Sequence, residues 1–150
     1  MAVGAFTLFN IAKLKLFDGT FDLNGSMGFK IALTTAAQSL ATTFAGTSTD
    51  CRYSDLTAEL ATANGYTSGG QTLANVTLTR STALITFDCD DPSWTISGAG
   101  ITFKYGVIYA NSLTNKDLLG FIDFDTTPGS ITTASGPLNI GINSSGIFTA

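Results

Sequence analysis

The sequence predicts an all-β protein: a β-sandwich of jelly-roll type, with about seven or eight short strands and one or two short helices. Three observations carry this expectation. Thr is the most abundant residue and is joined by 16 glycines and 11 phenylalanines, a mixture that favours strands and tight turns over helices. Apolar and polar residues alternate in short runs, as where Ala83, Ile85, Phe87 and Cys89 interleave with Leu84, Thr86, Asp88 and Asp90. Only a strand sends alternate side chains to opposite faces. Turn-forming residues punctuate these runs at the spacing of a small sandwich, and the uneven strand lengths speak against an up-and-down barrel.

Taken in order, residues 1–17 form an apolar leader, charged only at Lys13 and Lys15, read as a short helix ending near Gly19. Its spacing also allows a strand. The leader would pack on its own domain or serve as a docking arm. Residues 18–150 form one sandwich domain, the default for a chain of 150 residues. Turns at Asp18-Gly19-Thr20 and Asn24-Gly25-Ser26 lead into a buried strand over 27–35, with Phe29, Ile31 and Leu33 on one face. A small, polar excursion over 36–49 follows. Residues 50–60 are the best helical candidate, because Tyr53, Leu56 and Leu60 recur at spacings of three and four and Ser54 can cap. A glycine loop over 64–70 delivers the chain to a strand over 71–79. Arg80-Ser81 then turns it into the strand over 83–89, as a hairpin.

Pro92 lacks an N–H and ends that ladder. The longest apolar run, 101–110, follows. One of its faces carries Ile101, Phe103, Tyr105, Val107 and Tyr109, while the other changes from polar Thr102 and Lys104 to apolar Ile108 and Ala110. Such a strand enters the middle of a sheet, where both sides are covered. Further strands are expected over 117–125, 137–143 and 146–149, with a loop over 126–135 around Pro128-Gly129.

The chemistry is sparse. With no histidine, the usual general base, nucleophile partner and transition-metal ligand are missing. Asp88, Asp90 and Asp91, or Asp123 with Asp125, would have to flank a cleft to act as a glycosidase pair. They read instead as turn and outer-face residues. A calcium site at Asp88/Asp90/Asp91 or at Asp18/Asp22/Asn24 does not have EF-hand spacing. Gly98 and Gly100 make a turn, since a dinucleotide fingerprint needs a third glycine. Trp94, Phe87 and Tyr105 read as a core aromatic cluster. Cys51 and Cys89 read as buried thiols, with a single bridge as the minor alternative. No catalytic, cofactor or metal residue is assigned, and no cofactor is expected.

Charged residues make up 12% of the chain, against a usual share of roughly 25%, and the net charge is −4. Without a basic cluster, nucleic acid and anionic membranes are not expected partners. No run approaches the roughly 20 apolar residues of a membrane span, and no signal peptide is evident. A surface of Thr, Ser, Asn and Gly repels neighbours poorly and suits a subunit of an assembly.

The linear order of segments is informative: FDGTFDL, MGFKIALTT, YSDLTAEL, NGYTSGGQTLANVTLT, TFDCDDPSWTISGAGITFKYGVIYANS, DLLGFIDF and SSGIF. Together, over most of 18–149, they resemble small structural proteins encoded in the virion modules of tailed bacteriophages. Gly65-Tyr66-Thr67 with Gly69-Gly70, Asp90-Asp91 with Trp94, the run from Tyr105 to Tyr109, and Gly146-Ile147-Phe148 carry the likeness. Cys89 departs from it, standing where such patterns have Ala. The resemblance implies a non-enzymatic component on the outside of the particle, with the head favoured. Its expected role is capsid decoration or cement, binding the major capsid protein or other virion subunits through edge strands, the leader and loops such as 36–49 and 126–135. A homo-oligomer, with a trimer favoured, is also expected. The alternative is a head-fibre or tail-fibre component that binds a host surface or glycan. A carbohydrate-binding or hydrolytic β-sandwich ranks third.

Overall fold

The computed structural model describes residues 4–24, 26–40, 51–127 and 129–149. Within them the chain is mostly strand, arranged in antiparallel sheets that make a sandwich-like body with no closed barrel. In chain order the elements are β1 (Thr7–Leu8), α1 (Asn10–Phe17), β2 (Phe29–Thr34), a 3₁₀ turn (Tyr53–Asp55), β3 (Gln71–Thr72), β4 (Thr77–Ser81), β5 (Leu84–Asp88) and β6 (Ser93–Ile96). Then follow β7 (Thr102–Phe103), β8 (Tyr105–Ala110), β9 (Leu118–Asp123), β10 (Ile131–Thr132), β11 (Gly136–Asn139) and β12 (Phe148–Thr149).

The main sheet runs β1-β9-β8-β2-β3, and a second runs β12-β5-β4. Two short ribbons, β10-β7 and β11-β6, complete the body. As the apolar run implied, β8 is central in the main sheet, and Val107 to Ala110 are all buried. One face of that sheet carries Phe29 and Ile31 opposite Ala110 and Ile108. This face meets the second sheet, where the Phe29 and Phe87 rings pack edge to face at 5.4 Å. The opposite face carries Val107, Tyr109 and Phe121. Phe9, at the start of α1, stacks on Phe121 at 5.5 Å, and Tyr53 stacks on Tyr109 at 4.6 Å. The leader therefore packs on the body, with a strand in the main sheet and Phe9 and Ala12 fully buried.

Several elements differ from expectation. Among the described residues there are twelve strands rather than seven or eight, because the longer runs are interrupted. Residues 71–79 break at Asn75, which sits at φ 50°, and 101–110 breaks at Lys104, whose N–H donates to Thr34 O at 2.8 Å. The helix expected over 50–60 is a single 3₁₀ turn. Beyond it the chain extends along β2, where Ala58 O accepts from Thr35 N and Leu60 N donates to Leu33 O. Ser54 makes no side-chain cap; the Asp55 carboxylate takes the Arg52 N–H at 2.9 Å. The β4–β5 hairpin forms, but Ser81 pairs with Leu84, so its turn is Thr82-Ala83 with Thr82 at φ 48°. The strand expected over 117–125 ends at Asp123, and the 126–135 loop contains β10. Most of the 36–49 excursion lies outside the described residues.

Trp94, Phe87 and Tyr105 do not form one cluster. Trp94 lies beside Tyr66, Phe87 between Phe29 and Phe148, and Tyr105 against Phe121. Each stands on a different strand, and the three strands lie in different sheets.

Candidate interaction surface

Most of the carboxylates singled out in the sequence have local structural partners. Asp18 Oδ1 accepts Thr20 N, and Asp22 accepts Asn24 N and Ser26 Oγ. These turn hydrogen bonds, from Thr20 and Asn24 foremost, hold both carboxyls below their ordinary range. Asp88 Oδ1 takes Cys89 N, Asp90 takes Asn75 Nδ2 at 2.7 Å, and Asp91 takes Ile142 N at 2.7 Å. The Asp88/Asp90/Asp91 group thus ties the end of β5 to two neighbouring loops. Among the described residues no group of three or more Cys, Asp or Glu is placed to hold a metal ion.

Asp123 and Asp125 serve Lys104. That lysine is 8% exposed. Its Nζ lies 3.1 Å from Asp123 Oδ1 and donates to the backbone oxygen of Asp125. Asp125 is held low by the Thr127 hydroxyl and amide. A second buried ion pair, Lys15 Nζ to Asp117 Oδ1 at 2.9 Å, fastens α1 to the start of β9.

Sequence reasoning missed the densest polar site. Glu59 accepts hydrogen bonds from the Tyr53 and Tyr66 hydroxyls, Ser68 Oγ and Gly69 N. The Tyr66 oxygen in turn accepts Leu33 N at 3.0 Å, and Tyr109 donates to Gly69 O at 2.8 Å. Burial raises all three phenols above their ordinary value of 10.0, and the Glu59 charge adds to it. Gly70 brings the loop onto β2 so closely that a Cβ there would lie 1.9 Å from Ile31 O. The available signal was Tyr66 followed by Gly69-Gly70, whose donors only the fold gathers around Glu59.

Cys51 and Cys89 are buried thiols. Burial, and then the charges of Asp88, Asp90 and Asp91, push the Cys89 thiol up to about 12. Trp94 is 7% exposed and offers no stacking platform.

What does face outward is apolar at two places. On α1, Phe17 is 92% exposed and Leu14 59%; at the tip of the β4–β5 hairpin, Leu84 is 54% and Ile85 45%. An open groove of about 600 Å³ separates the β1 edge of the main sheet from the C-terminal segment, with Phe6, Ile122, Phe124, Ile147 and Phe148 in its lining. Phe6 and Phe148 stack at 5.6 Å. Compared with known proteins, the chain matches no family model, no curated protein and no solved structure.

Proposed function

We propose that this chain is a non-enzymatic virion structural protein, a capsid decoration or cement protein that binds the outer shell of a phage head and braces the junctions between capsomers. One observation carries the reading from the structure: Leu14, Phe17, Leu84 and Ile85 stand exposed on a body with few charges. Apolar side chains grouped at an exposed helix and a hairpin tip suit burial against other subunits. The segment order supplies the virion context. Bracing of this kind is additive, because each copy contributes a modest contact and many copies multiply the resistance to internal pressure.

The test adds the purified protein to expanded heads that lack it and follows release of DNA on heating. Decorated heads should hold their DNA to a higher temperature. The Leu84→Ser/Ile85→Ser and Phe17→Ser variants should bind less and brace less. Equal resistance to heat and osmotic shock with and without the protein would overturn the reading.

A further inference from the structure

We infer that the outer edge of β4 is a strand-pairing site for a second copy of this chain, joined antiparallel about a twofold axis at Thr79. Most other edges in the described structure are short or covered. β1, β3, β7, β10 and β12 have two residues each, and β11 carries Pro137. β6 is covered by the 63–66 turn: Asn64 O accepts Ser97 N, and a Cβ on Gly65 would lie 2.0 Å from Thr95 O. β4 has five residues, no proline and one charged group, Arg80. Proteins that stay single usually blunt such an edge with prolines, bulges or several charges.

The polarity of the edge follows from the hairpin. Ser81 and Leu84 close a two-residue turn, so they exchange both backbone hydrogen bonds, as do Thr79 with Thr86 and Thr77 with Asp88. Leu78 and Arg80 alternate with them and turn their N–H and C=O groups away from β5. The carbonyl of Phe87, opposite Leu78, confirms the alternation by accepting Ile147 N at 2.8 Å on the far side of β5. Among the described residues no backbone group pairs with the outward side of Leu78 or Arg80.

That edge is complementary to itself. With Thr79 opposite Thr79 of the second copy, Leu78 of each copy exchanges two backbone hydrogen bonds with Arg80 of the other. Threonines meet at the centre, a favourable cross-strand pair. Each arginine lies directly opposite a leucine, with the other arginine at the longer diagonal, and lays its aliphatic stem on apolar surface. The acidity of the chain does not oppose this contact, because β4 carries no carboxylate. Leu78 and Ile85 share a face with Phe87, so pairing joins the apolar stripes of two hairpins and doubles the β12-β5-β4 sheet. This twofold differs from the threefold association expected from sequence, and it does not depend on the virion role.

The test combines mass and a covalent trap. Light scattering should give twice the chain mass of 15.6 kDa. Thr79 opposite its own copy is a pair without mutual hydrogen bonds, whose Cα atoms lie about 4.5 Å apart, within disulfide reach. The Thr79→Cys variant should therefore form a linked dimer under mild oxidation on the order of tenfold faster than a Thr72→Cys control on the exposed β3. The buried Cys51 and Cys89 leave that comparison clean. Arg80→Pro removes an outward N–H while sparing the bonds to β5 and should return the mass to one chain with an unchanged circular dichroism spectrum. A single-chain or three-chain mass for the unaltered protein, or equal trapping of the two cysteine variants, would overturn the inference. Heads braced normally by a single-chain protein would refute the twofold alone.

Discussion

Glu59 has about four lone-pair directions, and Tyr53, Tyr66, Ser68 and Gly69 supply four donors. All four are neutral hydrogen-bond donors, so among the described residues the carboxylate is held chiefly by hydrogen bonds. Glu59→Gln keeps the shape but replaces one acceptor oxygen with a donor. It should cost about 2 kcal/mol in urea unfolding, the scale of charge-assisted hydrogen bonds. The tyrosines give a pH signature. Their folded pKa values lie above the unfolded value of 10.0, so the stability they contribute is full below pH 10 and lost as pH rises through the raised values. Alkaline titration followed by tyrosinate absorbance should show Tyr53, Tyr66 and Tyr109 ionising only with unfolding; ionisation of these three before the fold is lost would refute this. In acid the sign reverses. Asp18, Asp22 and Asp125 are depressed from 3.8, so their contribution is present above that value and fades as pH falls below it. The Asp18 turn was legible in advance; the Glu59 site was not. Residue 59 looked like one side of a short helix, and its donors lie six to ten positions further along or back.

At the scale of elements, pattern and outcome agree where burial alone decides and part where a backbone partner intervenes. β2 and β8 were readable because both faces of each are covered, and the hairpin because alternation flanks a turn. The helix over 50–60 failed because β2 offered Ala58 and Leu60 strand partners, and tertiary hydrogen bonds outrank weak local propensity. Gln38 reinforces the outcome: its Oε1 accepts both Thr57 N and Ala58 N. The glycine loop can be tested directly. Gly70 lies at φ +69° with no space for a Cβ, whereas Gly19 lies at φ +80° with nothing within 4 Å. Gly19→Ala should cost about 1 kcal/mol, the left-handed penalty alone. Gly70→Ala should cost roughly twice that or more, because β2 must shift. Equal losses of melting temperature would show that the loop is not pressed onto β2.

For the whole molecule, the relation between interior and exterior matters most. Serine at Phe17, Leu84 or Ile85 should change the stability of the isolated chain by within about 0.5 kcal/mol, since little contact is lost. A larger loss in chemical unfolding at low protein concentration would mean that these side chains pack within their own chain. The sandwich class was readable because it depends on composition and period; the exposed apolar rim was not, since an apolar residue in a strand or helix reads as core until its neighbours are known. The stacked pair Phe6–Phe148 has one more outcome. It brings the segments around residues 4–6 and 147–149 to one groove, so a short link from residue 149 to residue 4 would close the described chain into a loop. A circular permutant of residues 4–149, sealed there by a short glycine–serine bridge and opened in the exposed turn at Asn115, should fold to the same sheets and carry its new ends beside the first residues of β9.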